Sequence, residues 1–170
     1  MEHSVWVAQL LDRVCEIGEE GQAAAQYVLK NRTRIGFKRV RPNIGAFWTL
    51  PGNIQLNAHY YTYETSLDDV RIRTLIIHEV RHLQQGLATA LSVYGELDAW
   101  QLEFGIYHRI KGNYPSPVIA ELMTLPLEFD RDVLRKAASL MQAYAGKGYR
   151  ADLLPLFPWG REIRYWIMRK

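Results

Sequence analysis

Apolar residues recur at helical spacing through most of this chain, and one such segment runs from residue 67 to residue 85 without Pro or Gly. Its periodic apolar positions are Ile72, Leu75, Ile76 and Leu83. Ser66 and Asp69 form a start signal related to the capping box, and Thr65 with Asp68 offers the same signal one residue earlier. Gly86 is a typical C-terminal stop. The pattern predicts a helix of about five turns.

The same reasoning predicts the other elements. Helices are expected over 4–33 with a break near Gly18 to Gly21, over 87–110 with interruptions at Gly95 and Gly105, and over 117–124, 127–145 and 161–168. Alternating polarity and turn residues predict short strands near residues 35–40, 47–48 and 52–57. We therefore expect an α+β fold, mostly helical, with a small N-terminal β-sheet.

Composition limits the class of protein. The 170 residues suffice for a single domain over 1–170, and 48% hydrophobic with 23% charged residues is ordinary for a globular chain. The formal charge of +3 is too small to indicate nucleic acid as a partner.

Cys15 is the single cysteine, so no intrachain disulfide is expected. The chain has neither a signal-peptide pattern nor a long apolar run, so we expect a cytoplasmic protein without a membrane partner. Oligomeric state is not predicted.

Candidate chemistry is concentrated in the segment His78-Glu79-Val80-Arg81-His82, which reads H-E-x-x-H. On a helix, His78 and His82 project from one face and can bind one Zn²⁺ between them. Glu79 is then placed to act as general base on a water activated by the metal. The alternative is an ordinary amphipathic helix with two unrelated histidines; the motif arises by chance in roughly one chain in a hundred of this length.

A catalytic zinc site needs a third protein ligand. The metzincin continuation fails, because Gln85 and Ala88 stand where that pattern has Gly and His. If the chain reverses at Gly86, Glu96 on the following helix can meet His82. Glu103, about 10 Å further along that helix, and Asp98, on its opposite side, are rival ligands.

The segment Glu96-Leu97-Asp98-Ala99-Trp100 resembles the E-x-[ED]-A-x segment of gluzincins, and comparable segments occur in CAAX-processing membrane proteases and in ImmA/IrrE-like intracellular zincins. The resemblance spans roughly residues 50 to 110. It implies a zincin-like fold, with His78, His82 and Glu96 as metal ligands and Glu79 as the base. Trp100 replaces the Asp or Asn that many gluzincins have four residues after the ligand Glu. The groups that orient the ligands must therefore differ here, and Asp98 is a candidate.

The resemblance also suggests where substrate binds. In zincins an edge strand of the sheet runs over the metal cleft and pairs with the substrate backbone, which suggests that role for Asn53, Ile54, Gln55, Leu56 and Asn57. A hairpin strand without ligand contact is the alternative. Candidates for stabilising the oxyanion are Tyr107, His108 and Tyr60, with Tyr61 and His59 beside them.

The sequence thus predicts a zinc-dependent metallopeptidase that binds one Zn²⁺ per chain and acts on a peptide or protein substrate. Zinc is preferred over Mn²⁺, Fe²⁺ or Co²⁺ on ligand type. The alternative from another functional class is a catalytically weak zinc-binding module with a regulatory or interaction role.

Overall fold

The computed structural model of the protein describes residues 2–146 and 148–168. Within them the chain forms eight α-helices, three strands and one 3₁₀ helix. The helices are α1 (His3–Cys15), α2 (Glu19–Asn31), α3 (Val70–Gln85), α4 (Leu87–Ala90), α5 (Val93–Lys111), α6 (Pro117–Leu122), α7 (Arg131–Ala145) and α8 (Trp159–Met168). The strands are β1 (Ile35–Lys38), β2 (Ala46–Trp48) and β3 (Ile54–Asn57), and the 3₁₀ helix is Ala151–Leu153. The expected mostly helical α+β class is confirmed.

Helices α1 and α2 form a hairpin whose sharp turn depends on glycine. Gly18 between them has φ of 118°, a conformation that favours glycine. A Cβ on Gly21 would lie 1.9 Å from the carbonyl oxygen of Val14, so only glycine permits this close approach. The predicted break near these glycines is confirmed.

The sheet has the order β1-β3-β2. Strand β3 is parallel to β1, with Ile54 opposite Ile35, and antiparallel to β2, with Ile54 opposite Trp48. The strand predicted within residues 52–57 therefore exists, but its expected edge position is wrong. Because β1 and β2 pair with β3 on both sides, its backbone has no free edge for a substrate.

Side-chain burial leads to the same correction. Ile54, Leu56 and Asn57 of β3 are buried. The Asn57 side-chain amide donates to the carbonyl oxygens of Arg41 and Ile44, at 3.0 and 2.7 Å, which anchors the loop between β1 and β2. Ile54, Gln55, Leu56 and Asn57 thus form the central strand of the sheet, and Asn53 precedes it, with its side-chain oxygen accepting from the Arg34 backbone N–H, so none of the five is on a free edge for a substrate.

Helix α3 carries the H-E-x-x-H segment. It begins at Val70, because the Asp69 carboxylate accepts a hydrogen bond from the backbone N–H of Arg71 at 2.9 Å. The helix begins later than the signal at Ser66 predicted. Asp69 is itself the N-cap residue, whereas the signal placed it inside the first turn of the helix. The end at Gln85 is confirmed, and Gly86 has φ of 72°.

The helix predicted over 87–110 was expected to be interrupted at Gly95 and Gly105. It is instead divided between Ala90 and Val93. The short α4 ends near Leu91, and the Ser92 hydroxyl caps α5 by accepting from the Gly95 N–H at 3.0 Å. Helix α5 then runs uninterrupted through both Gly95 and Gly105. A Cβ on Gly95 would lie 2.1 Å from the Thr89 carbonyl oxygen, so this glycine allows α4 to pack tightly against α5.

Two clusters of buried apolar side chains form the interior. The first joins α1, α2, the sheet and α3, and includes Trp6, Ile54 and Ile76. The second joins α5, α6 and α7 with Phe157, and includes Leu97. Helices α3 and α5 pack together between the clusters, so side chains on their facing sides lie at the boundary. None of the helices in the described ranges combines the length and the apolar character needed to cross a bilayer.

Candidate metal centre

The two histidines of α3 lie one turn apart and face each other across a buried site. Their Nε2 atoms are 3.0 Å apart. His78 is 7% exposed and His82 is 2% exposed. The predicted i, i+4 geometry on one helix face is confirmed.

Glu96 reaches the same point from the first turn of α5. Its Oε1 lies 3.6 Å from Nε2 of His82, and the candidate ligand atoms of His78, His82 and Glu96 all lie within 4.8 Å of one another. The reversal at Gly86, the short α4 and the Ser92 cap bring this turn of α5 against the end of α3. The three residues named from the sequence are therefore neighbours, and the rival Asp98 is not in this cluster.

Two of the three separations between these atoms are close to those around a tetrahedral zinc ion, and all three lie within 4.8 Å. Zn–N and Zn–O bonds of about 2.0 to 2.2 Å at tetrahedral angles place ligand atoms about 3.3 to 3.5 Å apart. The separations of 3.0 Å between the His78 and His82 nitrogens and 3.6 Å between His82 and Glu96 bracket that range. Two imidazoles, one carboxylate and burial also match the chemistry that zinc prefers.

Glu103, the other rival ligand, lies behind His78. Its Oε2 is 2.8 Å from Nδ1 of His78, the ring nitrogen on the side away from His82, although the angle is not that of a hydrogen bond. Burial alone would lower the pKa of His78, but the Glu103 carboxylate, with Glu79 and Glu96, raises it to about 9. Glu103 is thus placed to orient His78 and to make its metal-facing nitrogen more basic.

A different set of side chains holds His82. Its Nδ1 lies 3.1 Å from Oε1 of Gln85, and Nε2 of Gln85 donates to Asp98 at 2.7 Å. Arg81 in turn binds both carboxylate oxygens of Asp98, at 2.7 and 3.1 Å. Asp98 therefore influences His82 through Gln85 and does not contact the histidine. Burial lowers the pKa of His82, which favours the neutral form that binds metal.

Glu96 is held by a tyrosine that the sequence did not single out. The Tyr149 hydroxyl donates a hydrogen bond to Oε2 of Glu96 and accepts one from Nε1 of Trp100 at 3.0 Å. Burial and the Glu96 carboxylate raise the pKa of Tyr149 well above its usual value, so the hydroxyl remains a donor. Trp100, the departure from the gluzincin pattern, thus supports the ligand Glu through Tyr149. Tyr149 is 53 residues from Glu96, and no local spacing indicates it.

Glu79 is buried next to the cluster, at 3% exposure. Burial raises its pKa to about 7, and the neighbouring Glu96 and Glu103 act in the same direction, whereas His78 and the backbone of Trp48 in β2 act against them. A carboxyl group with a pKa near neutrality can both accept and donate a proton at physiological pH.

A cleft of about 500 Å³ opens beside these residues, and His78, Glu79 and Glu103 line it. Much of its remaining wall is aromatic, formed by Tyr60, Tyr61, Trp100, Phe104, Tyr107, Tyr144 and Tyr149. Ala46 at the start of β2 also lines it, whereas no residue of 53–57 does. The site therefore combines a potential metal centre, a titratable carboxyl group and a groove large enough for several side chains.

The three oxyanion candidates lie in different surroundings. Tyr107 and Tyr60 both line the cleft, but the Tyr60 hydroxyl donates to the carbonyl oxygen of Pro42. His108 does not line the cleft and stacks on Tyr114 with ring centroids 4.3 Å apart. The expectation for His108 is wrong, because the neighbouring helix position Tyr107 is the one that faces the cleft.

No family model, curated protein or solved structure matches this chain.

Proposed function

We propose that this protein is a zinc-dependent metallopeptidase with a zincin-like fold, binding one Zn²⁺ per chain through His78, His82 and Glu96. The observation that carries the proposal is the convergence of these three side chains with Glu79 at one buried point beside a cleft. Zinc sites in hydrolases use such a three-ligand set and leave a fourth position open. The gluzincin-like segment around Glu96 supports the same reading.

A bound zinc ion would supply Lewis acidity and a water of lowered pKa. Glu79 has the role of general base: its carboxylate oxygen takes a proton from the attacking water and then returns a proton to the leaving amine. Burial raises the pKa of Glu79 above its ordinary value, which favours a carboxyl group that both accepts and donates a proton. Glu103, Gln85 and Tyr149 hold the three ligands in position, and Tyr107 remains a candidate donor to the oxyanion.

Strand β2 is the better candidate for pairing with an extended peptide. Gly45 and Thr49 bond to β3 through their backbones, so by alternation the backbone groups of Ala46 point to the outer edge. Ala46 lines the cleft, and β2 has no second partner strand in the part of the chain that is described. We assign to this edge the substrate-pairing role first expected of β3.

The proposal is tested by zinc content and proteolysis of denatured casein, measured on protein purified without chelator or added His-tag. Wild type should hold about one zinc and cleave casein. Glu79→Gln should keep zinc and lose turnover by about a hundredfold or more. Glu96→Ala should lose zinc, whereas Glu121→Ala on the surface of α6 should behave as wild type.

Each failure has a separate meaning. Full turnover by Glu79→Gln contradicts the general-base role. A wild-type chain that takes up no zinc after reconstitution contradicts the metal centre. Bound zinc without hydrolysis of casein or of a mixed peptide library would favour the zinc-binding regulatory or interaction module.

A further inference from the structure

Arg71 lines the same cleft as the candidate metal centre, at its other end. It is the second residue of α3 and precedes His78 by seven positions, so the two side chains lie on one helix face. Seven residues of α-helix correspond to a rise of about 10 Å. A peptide lying along the cleft from His78 would therefore reach Arg71 after about three residues at 3.3 Å each.

The Arg71 guanidinium has no hydrogen-bond or ion-pair partner among the described residues. Within residues 2–146 and 148–168 it forms neither a hydrogen bond nor an ion pair. Asp69, the nearest acid along the chain, accepts from the backbone N–H of Arg71 instead. The first turn of a helix is also a poor place for a cation, because the helix dipole is positive there. The helix dipole therefore disfavours Arg71 at this position, and the Asp69 carboxylate at the N-cap is the nearest opposite charge along the chain.

Two tyrosines face the cleft near this cation. Tyr61 and Tyr144 both line it, and the Arg71 charge acts on both hydroxyls. Burial raises the pKa of Tyr61 to about 12 and raises that of Tyr144 as well, so both stay protonated. The Tyr144 ring packs edge-on against Trp100 and Phe104, which fixes its direction. Neither hydroxyl forms a hydrogen bond among the described residues.

The geometry points to Arg71, with the hydroxyls of Tyr61 and Tyr144, as a subsite for a carboxylate of the peptide substrate two or three residues from the scissile bond. This inference rests on the proposed function, because it concerns the same cleft. A cation and two neutral O–H donors are groups that bind a carboxylate, and the described residues engage none of the three in a hydrogen bond. The carboxylate can come from an Asp or Glu side chain or from a free C-terminus.

Two carboxylates also line the cleft, and they affect where along it an acidic group of the substrate can bind. Glu79 and Glu103 line the cleft beside His78, and the Glu103 charge also acts on the Tyr61 and Tyr144 hydroxyls. Among the described residues that line the cleft, Arg71 is the one permanent cation, and Asp69 beside it is a carboxylate whose charge acts on Tyr61. The cleft should therefore distinguish the position of an acidic group and not merely the net charge of a peptide.

The test is fluorescence anisotropy with rhodamine-labelled peptides and the full chain carrying Glu79→Gln, with and without zinc. One pair is Ala-Phe-Ala-Ala with a free carboxylate or an amide at its C-terminus. The other pair is Ala-Phe-Asp-Ala amide and its Asn counterpart. Each carboxylate peptide should bind about fivefold more tightly than its neutral partner at low salt, with a smaller difference at high salt. The two pairs distinguish a terminal from a side-chain carboxylate.

Additional substitutions locate the effect. Arg71→Gln should erase the difference within each pair, and Tyr61→Phe should reduce it. Arg135→Gln on α7 removes the same charge outside the cleft and should leave the difference intact. Arg71 is exposed, so its variants should fold, which circular dichroism checks.

The inference fails if both members of each pair bind equally, if the difference survives Arg71→Gln, or if none of the peptides binds at millimolar concentration. The proposed function is judged separately, by zinc content and casein cleavage of the wild-type chain. Lack of cleavage together with an Arg71-dependent preference would discard the peptidase and keep the carboxylate subsite.

Discussion

At the scale of single residues, each candidate ligand is oriented by a different chemical group. The Glu103 carboxylate lies next to Nδ1 of His78. The Gln85 side-chain amide contacts Nδ1 of His82, and the Tyr149 hydroxyl donates a hydrogen bond to Glu96. Such supporting groups fix the direction of a ligand and tune its basicity. The Tyr149 contact is the most informative of the three, because it comes from the far end of the chain.

Replacing Tyr149 with Phe should weaken zinc binding about tenfold. The substitution keeps the ring but removes the hydroxyl that fixes Oε2 of Glu96, and loss of such a partner typically costs ten- to hundredfold in metal affinity. Competition with a chromophoric chelator measures the change. Tyr144→Phe removes a hydroxyl from the same cleft without touching a ligand and should bind zinc as wild type does. Equal affinities for wild type and Tyr149→Phe would show that Glu96 needs no such support.

At the scale of elements, helices were easier to predict than their arrangement. Periodicity located the helices, and Gly86 marked the end of α3, because both are local signals. Asp69 was misread because a start signal does not say which of its residues is the cap. The expected edge position of the strand over 52–57 was wrong because alternation identifies a strand but not its neighbours. His78, Glu79, His82 and Glu96 could be found from spacing, whereas Tyr149 depends on packing between distant segments.

Helix α8 is attached by a half-buried ion pair together with aromatic packing, in which Tyr165 contacts Phe157 and the Arg131 guanidinium. None of its residues is buried. Glu162 connects it to the rest of the molecule by accepting from Arg131 of α7 at 2.9 Å and from the backbone N–H of Phe157 at 3.1 Å. The Glu162 and Arg131 side chains are only 16% and 19% exposed. This pair is therefore shielded from solvent and should contribute more than a surface ion pair.

Glu162→Gln should lower the free energy of unfolding by about 1 to 2 kcal/mol at pH 7. Burial acts to raise the pKa of Glu162, but Arg131, Phe157 and Trp166 more than offset it, so the folded-state pKa lies below the ordinary value of 4.5. The contribution is complete above that ordinary value and is lost as the pH falls through the folded-state pKa. Denaturant unfolding at neutral and acid pH should therefore show a difference between the proteins that disappears in acid.

The matched control is Asp132→Asn, which breaks an ion pair with Arg135 on a side chain that is 90% exposed. It should leave stability nearly unchanged at every pH. A Glu162→Gln effect that does not vary with pH would mean that the side chain acts through its shape and not through its charge.

At the scale of the whole molecule, the candidate metal centre joins the two apolar clusters. His78 and His82 belong to α3, which packs in the first cluster, and Glu96 belongs to α5, which builds the second. A metal held by all three would cross-link the two halves of the interior. The histidines alone would bind a metal within one helix and would add nothing to the packing and hydrogen bonds that already join α3 to α5.

Zinc should therefore stabilise the molecule as a unit. A ligand that binds only the folded state adds about 4 kcal/mol at a free concentration a thousandfold above its Kd. We expect the urea midpoint of the wild type to rise with free zinc, with fluorescence and far-UV circular dichroism reporting one coincident transition. Glu96→Ala should lose most of this response although both histidines remain, whereas Glu121→Ala should retain it. If Glu96→Ala responds to zinc as strongly as wild type, or if only part of the unfolding curve shifts, the metal is held by α3 alone and does not couple the two clusters.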